Sequence, residues 1–161
     1  MKRSERPSGR AQINHAGLTV TDIDAAVAWY TGVFDLALVF GPVEVSGSGR
    51  SKVIFGERFG RMRRAVLRDS SQAALELFEF HEPATTRRQD NFDYWKTGFF
   101  HLCFTCDDVA SRLEAVVALG GRARTAPLEA GGGRLIAYCE DPFGNVLELT
   151  NKTLEETYGD S

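Results

Sequence analysis

Cysteine is scarce in this chain, and its scarcity excludes a disulfide scaffold. Three cysteines, Cys103, Cys106 and Cys139, stand among 161 residues. An odd count without a secretion signal points to reduced thiols in a cytoplasmic setting. Cys103 and Cys106 form a C-x-x-C, but no second pair completes a zinc knuckle, and the motif lies within the strand-like FFHLCFTC rather than at the start of a helix. All three are expected to be small buried apolar residues. Long apolar runs are missing too, since none approaches the ~20 residues that a membrane-spanning helix needs. Nor is there a basic excess. The formal net charge of −3 removes any general attraction to nucleic acid or anionic lipid. The basic opening, MKRSERPSGR, has no apolar stretch after its charges. It is expected to be a disordered tail over residues 1–10, with a second short tail over 153–161.

What the chain does have is an internal repeat. NHAGLTVTDIDAAVAWYTGVF from Asn14 and FHLCFTCDDVASRLEAVVALGG from Phe100 share one order: a strand holding a His, then Thr, then aspartates, then an amphipathic helix. His15 corresponds to His101, Thr19 to Thr105 and Asp22 to Asp108. Each of those aspartates stands where a helix N-cap is wanted. Ile23, Val27, Tyr30 and Phe34 follow at helical spacing, as do Val109, Leu113, Val116 and Val117. Gly32 and the Gly120–Gly121 pair are the expected stops. Strand-like segments follow each helix: LALVFGPVEV, MRRAVLRD and AALELFEF in the first half, RARTAPLEA, RLIAYCED and NVLELTN in the second. SSQ and DPFG supply turns. The fold class is therefore α+β. Two βαβββ modules, over about 11–82 and 99–152, are joined by a linker over about 83–98 and form an open barrel-like sheet with a cleft.

Strand parity selects the residues that face this cleft. His15 shares a face with Gly17 and Thr19, and His101 with Cys103 and Thr105. Glu76 shares a face with Phe78 and Phe80, and Glu148 with Val146 and Thr150. Each module thus offers one His and one Glu from mid-strand, away from its own helix. An ionised Glu flanked by leucines costs several kcal/mol unless something pairs with it. A metal ion compensates two such carboxylates and accounts for Glu at the same strand position twice. A lone mid-strand His is more often a hydrogen-bonded core residue, and a lone Glu more often faces solvent; four coincidences at repeat-related positions favour one metal site of His15, Glu76, His101 and Glu148.

These residues resemble the vicinal oxygen chelate superfamily, which includes glyoxalase I, methylmalonyl-CoA epimerase, extradiol dioxygenases and the fosfomycin and bleomycin resistance proteins. The resemblance covers roughly Ala11 to Lys152. It is carried by the His15 strand with its TDIDAAVAWY helix, by GFFHLCFTCDDV and by EDPFGNVLELTN. It implies one divalent metal ion, Ni, Co, Zn, Mn or Fe, on His15, Glu76, His101 and Glu148, and a small-molecule substrate that chelates through two vicinal oxygens. The implied chemistry is that of an isomerase or lyase: proton abstraction beside a carbonyl through a metal-bound enediolate, with Glu148 as base and Glu76 as the alternative or second base. An extradiol-type dioxygenase needs a further open coordination position, which Glu76 would fill. A non-catalytic binding or resistance protein using the same cleft is the third reading. Glutathione-dependent glyoxalase I carries an Arg and an Asn at the positions of Thr19 and Phe80. Their replacement here implies a more apolar pocket, lined by Thr19, Phe78, Phe80, Cys103 and Tyr138.

Other features have simpler readings. Arg58, Arg61, Arg63, Arg64 and Arg68 crowd one segment, where one or two could clamp an anionic substrate. A solvated hairpin edge protected by charge is the preferred reading. The linker aromatics Phe92, Tyr94 and Trp95 either cover the cleft or form a dimer contact. Gly131 to Gly133 is a flexible connection. A homodimer is expected, because paired sheets in so small a chain leave edges and a cleft for a partner to cover.

Overall fold

The Asp22 carboxylate, accepting the Ala25 N–H at 2.9 Å, turns an extended strand into a helix. In a computed structural model that describes residues 11–159, the first module runs β1 (His15–Thr19), α1 (Ile23–Phe34), β2 (Ala37–Ser46), α2 (Arg50–Phe55), β3 (Arg61–Arg68) and β4 (Ala74–Glu82). The second runs β5 (Leu102–Thr105), α3 (Val109–Ala118), β6 (Arg122–Ala123), β7 (Leu128–Glu129), β8 (Leu135–Glu140) and β9 (Val146–Thr150), followed by α4 (Leu154–Tyr158). Asp108 caps α3 as Asp22 caps α1, through the Ser111 N–H. Among the described residues the architecture is mixed α+β, with two sheets and no closed barrel. The strand orders are β1-β4-β3-β2 and β5-β9-β8-β6, with β7 also on β8.

Both modules place their first strand parallel to their last. In β1 and β4, Gly17 pairs with Glu76; in β5 and β9, Cys103 pairs with Glu148. Because His15 and His101 each stand two residues before those positions, the repeat superposes His–Glu on His–Glu. Gly17 has no side chain for a local reason: a Cβ there would meet the Phe78 ring at 3.3 Å.

One core spans both modules. Val20, Ile23, Tyr30 and Val33 from the α1 side join Val109 and Val116 of α3 and Leu147 and Leu149 of β9. Phe34 stacks on Phe104 with ring centroids 3.9 Å apart, and the Arg112 guanidinium donates to the Val33 carbonyl. The buried Tyr30 hydroxyl donates to Asp141 at 2.8 Å. Burial pushes the Asp141 carboxyl above its usual range, opposed by donors from Asn145, Tyr30 and Phe143. Among the described residues, no helix is long and apolar enough to cross a membrane.

The structure corrects several expectations. Gly32 does not end α1: the helix continues to Phe34, and Asp35, at φ 57°, ends it in the left-handed conformation. Gly120, at φ 92°, does follow α3. RARTAPLEA is two short strands rather than one, divided around Pro127, which has no N–H for the ladder. The arginine-rich β3 is an inner strand between β2 and β4, not an edge. Its Met62, Ala65 and Leu67 are buried, and Arg63 forms a two-bond pair with Asp24. The segment after Lys152 holds α4, opened by a Thr153–Glu156 capping box. The tail expected over residues 1–10 lies outside the described residues.

Candidate metal centre

Register brings each predicted His to its own Glu. His15 Nε2 lies 3.1 Å from Glu76 Oε2, and His101 Nε2 lies 2.9 Å from Glu148 Oε2. The four residues therefore form two pairs, one per sheet. Among the described residues, no three His, Cys, Asp or Glu side chains converge to hold an ion. Two ligands held at about 2.1 Å and at right angles on one ion stand about 3 Å apart, so each pair has the spacing of neighbouring ligands.

Each carboxylate also has a cation that sequence reasoning did not assign to it. Arg64 Nη1 donates to Glu76 Oε1 at 2.6 Å, and Arg134 Nη2 donates to Glu148 Oε1 at 3.1 Å. The arginines thus already compensate the buried Glu148 and the half-buried Glu76, and burial by itself does not demand a metal. One oxygen of each Glu is bonded to a guanidinium while the other faces an imidazole nitrogen. Parity alone could have found Arg64, which alternates with the buried Ala65 on β3, but the register that sets it diagonal to Glu76 is not written locally.

The two imidazoles are oriented differently. His15 Nδ1 bonds Asn14 Oδ1 at 2.7 Å. His101 Nδ1 is buried without a partner, and the ring is packed edge-on against Phe100 and Tyr138, with centroids at 5.0 and 5.3 Å. A second polar bond on a ligating histidine is the usual orienting device, and packing takes its place here.

Of the expected substrate-binding residues, Thr19, Phe80 and Cys103 divide between two cavities, each lined by both modules. Thr19 and Phe80 line a cavity of about 510 Å³ together with Phe100, His101, Arg88 and Asn145. His15 and Cys103 line a second groove of about 680 Å³. Phe78 and Phe80 stack at 6.0 Å and meet Phe55 of α2, forming an apolar wall beside Glu76. Tyr138 stands opposite Glu148 in the β8–β9 ladder, and burial, then the Glu148 charge, raises its hydroxyl. Cys139 is buried as expected, but Cys103 is exposed on the groove and Cys106 only half-buried. The Cys103 thiol, crowded by neighbouring atoms despite that exposure and then opposed by the Glu148 charge, is pushed up to about 12, so it is not a ready nucleophile. Of the linker aromatics, Phe92 packs on Phe100 and Tyr138, and Tyr94 on Phe92 and Phe100, which walls the His101 half.

Comparison with known proteins agrees with this architecture. The chain is similar to a 2-epi-5-epi-valiolone epimerase from Actinomyces sp, 29% identical over 89% of this chain and 80% of that protein. It is also 26% identical to a lactoylglutathione lyase of Schizosaccharomyces pombe over 88% of its length, but it spans only 48% of that enzyme. The fold matches a glyoxalase family protein from Bacillus cereus with a TM-score of 0.78 at 16% identity, covering 91% of this chain and 97% of that one. It also matches a variant of the fosfomycin resistance protein FosX from Listeria monocytogenes, solved with Mn(II), with a TM-score of 0.60 at 14% identity, covering 92% and 98%. The family model for the Glyoxalase/Bleomycin resistance protein/Dioxygenase superfamily matches residues 12–149, nearly the whole described chain, and the chain belongs to that superfamily.

Proposed function

We propose that this protein is a metal-dependent isomerase that moves a proton beside a carbonyl, with lyase chemistry as the nearest variant. The observation that carries the reading is the pair of repeat-related His–Glu contacts at 3.1 and 2.9 Å. His15, Glu76, His101 and Glu148 would hold one divalent cation, with Ni, Co, Zn, Mn and Fe all suited to two imidazoles and two carboxylates. When bound, the cation supplies a Lewis acid that polarises the substrate carbonyl. Glu148 takes the proton from the adjacent carbon and returns it, Arg134 holding its other oxygen so that the basic oxygen stays aimed. Glu76, held likewise by Arg64, serves as a second base for return from the opposite face. Isomerisation is placed ahead of lyase chemistry because the epimerase relative is matched over most of its length and the lyase over less than half.

The same reading includes a homodimer. Each chain carries two half-sites, and the His15–Glu76 pair of one chain meeting the His101–Glu148 pair of its partner would complete the ligand set. Metal analysis of purified protein, with the His101→Ala variant beside it, tests the assignment. The wild type should retain about one Mn²⁺, Co²⁺ or Ni²⁺ per chain, and the variant, folded by circular dichroism, should lose it. Undiminished metal in the variant would remove His101 from the site and the proposal with it.

A further inference from the structure

Charge around the two half-sites says more about the substrate than the pocket shape does. Glu76 and Glu148 are both needed to balance one divalent cation. Arg64 and Arg134 are each bonded to one of those glutamates, and among the described residues neither has another acidic partner. Both are partly covered, their side chains 37% and 24% exposed. Arg64 lies over the Phe40 ring, its guanidinium carbon 4.8 Å from the centroid. The Glu148 that Arg134 holds is 5% exposed. If a cation draws the glutamate charge to itself, two partly exposed guanidiniums remain beside it with their positive charge no longer balanced. Guanidinium groups so placed recognise carboxylates through forked hydrogen bonds.

We infer, resting on the metal reading above, that the substrate is an anion: a 2-hydroxy or 2-oxo acid, one of whose two chelating oxygens belongs to a carboxylate that Arg64 and Arg134 receive. A neutral vicinal ketone or diol would satisfy the cation and leave both arginines unmatched. Arg64 and Arg134 are then specificity-determining residues as well as partners of the glutamates. The cation and the acid each tighten the binding of the other, since the cation takes up glutamate charge through one oxygen while each guanidinium keeps its bond to the other oxygen and has further donors for the acid.

Two small probes separate charge from chelation. Glycolate and hydroxyacetone are close in size, and both present two vicinal oxygens, but only glycolate carries a charge. Calorimetry on the full chain at saturating Mn²⁺ should show wild-type protein binding glycolate well and hydroxyacetone weakly. In the Arg64→Met/Arg134→Met double variant, glycolate affinity should fall about ten- to a hundredfold for each guanidinium removed, with hydroxyacetone changed less than about twofold. The Arg64→Lys and Arg134→Lys variants, which keep the charge and are the more certain to fold, should fall between. Loss of both probes in parallel from a double variant that still binds Mn²⁺, or of neither, would overturn the inference while leaving the metal assignment standing. Wild-type protein that takes up no Mn²⁺ would end the metal reading and this inference together.

Discussion

Tyr30 and Asp141 tie the first module to the second through one fully buried hydrogen bond of 2.8 Å. A bond to a charged acceptor is worth about 1.5–3 kcal/mol, so Tyr30→Phe should lower unfolding stability by about that amount at neutral pH in denaturant titrations. The loss should depend on pH in a definite direction. The Asp141 carboxyl is raised in the folded chain by burial, so its contribution favours folding below the unfolded value near ~3.9 and is lost as pH rises through the folded one. The Tyr30 hydroxyl favours the ionised form, and its removal raises Asp141 further. The difference between wild type and variant should therefore be largest near neutrality and narrow as the solution is acidified through the raised Asp141 range. A pH-independent difference would mean that the hydroxyl serves packing only. None of this is legible in the sequence, where Asp141 is merely the first residue of a DPFG turn and Tyr30 one apolar position of a helix. The capping roles of Asp22 and Asp108 are legible, because a cap acts on the N–H groups three residues away and needs no distant partner.

Periodicity reveals α1 and α3 because a 3.6-residue pattern shows whenever one face packs, as Ile23, Tyr30 and Val33 do. Helix α2 has no such face: none of its residues is buried, and Val53 and Ile54 are 86% and 65% exposed. It therefore leaves no trace in the pattern. Substituting Val53→Asp or Ile54→Asp should change the stability of the single chain by no more than about 0.5 kcal/mol. Leu77→Ala, in the fully buried centre of β4, should cost about 2–5 kcal/mol in the same titration. A comparable effect at Val53 would show that the helix is held by more than its backbone and the Phe55 ring contacts. Strand parity depends only on alternation. Pairing register does not follow from parity, and so only the β3–β4 ladder sets Arg64 beside Glu76, while Arg134 reaches Glu148 from just before β8.

At the scale of the whole molecule the repeat makes the two modules readable, while the spacing between their His–Glu pairs depends on how the modules seat against each other. That seating rests on contacts such as Phe34 on Phe104, far apart in sequence. The cavity shared by Thr19 and Phe80 bears on the glutathione question. Without two charge-assisted bonds, at roughly ten- to a hundredfold each, metal-loaded protein should have weak or absent glyoxalase I activity in a steady-state assay on the methylglyoxal–glutathione adduct. Turnover matching an authentic glyoxalase would pass the gripping role to Arg88 on the wall of the same cavity. Sedimentation at micromolar concentration should show a dimer, and a monomer alone would reject the shared site. The division of ligands into one pair per sheet carries a genetic consequence. A chain with His15→Ala and a chain with His101→Ala would each assemble alone into dimers without an intact centre. Mixed and allowed to exchange, they would form heterodimers in which the two lesions fall in one centre and the other is whole. About a quarter of the wild-type centres should then return under random pairing. Two inactive alleles would complement each other, an outcome that a centre contained within a single chain forbids.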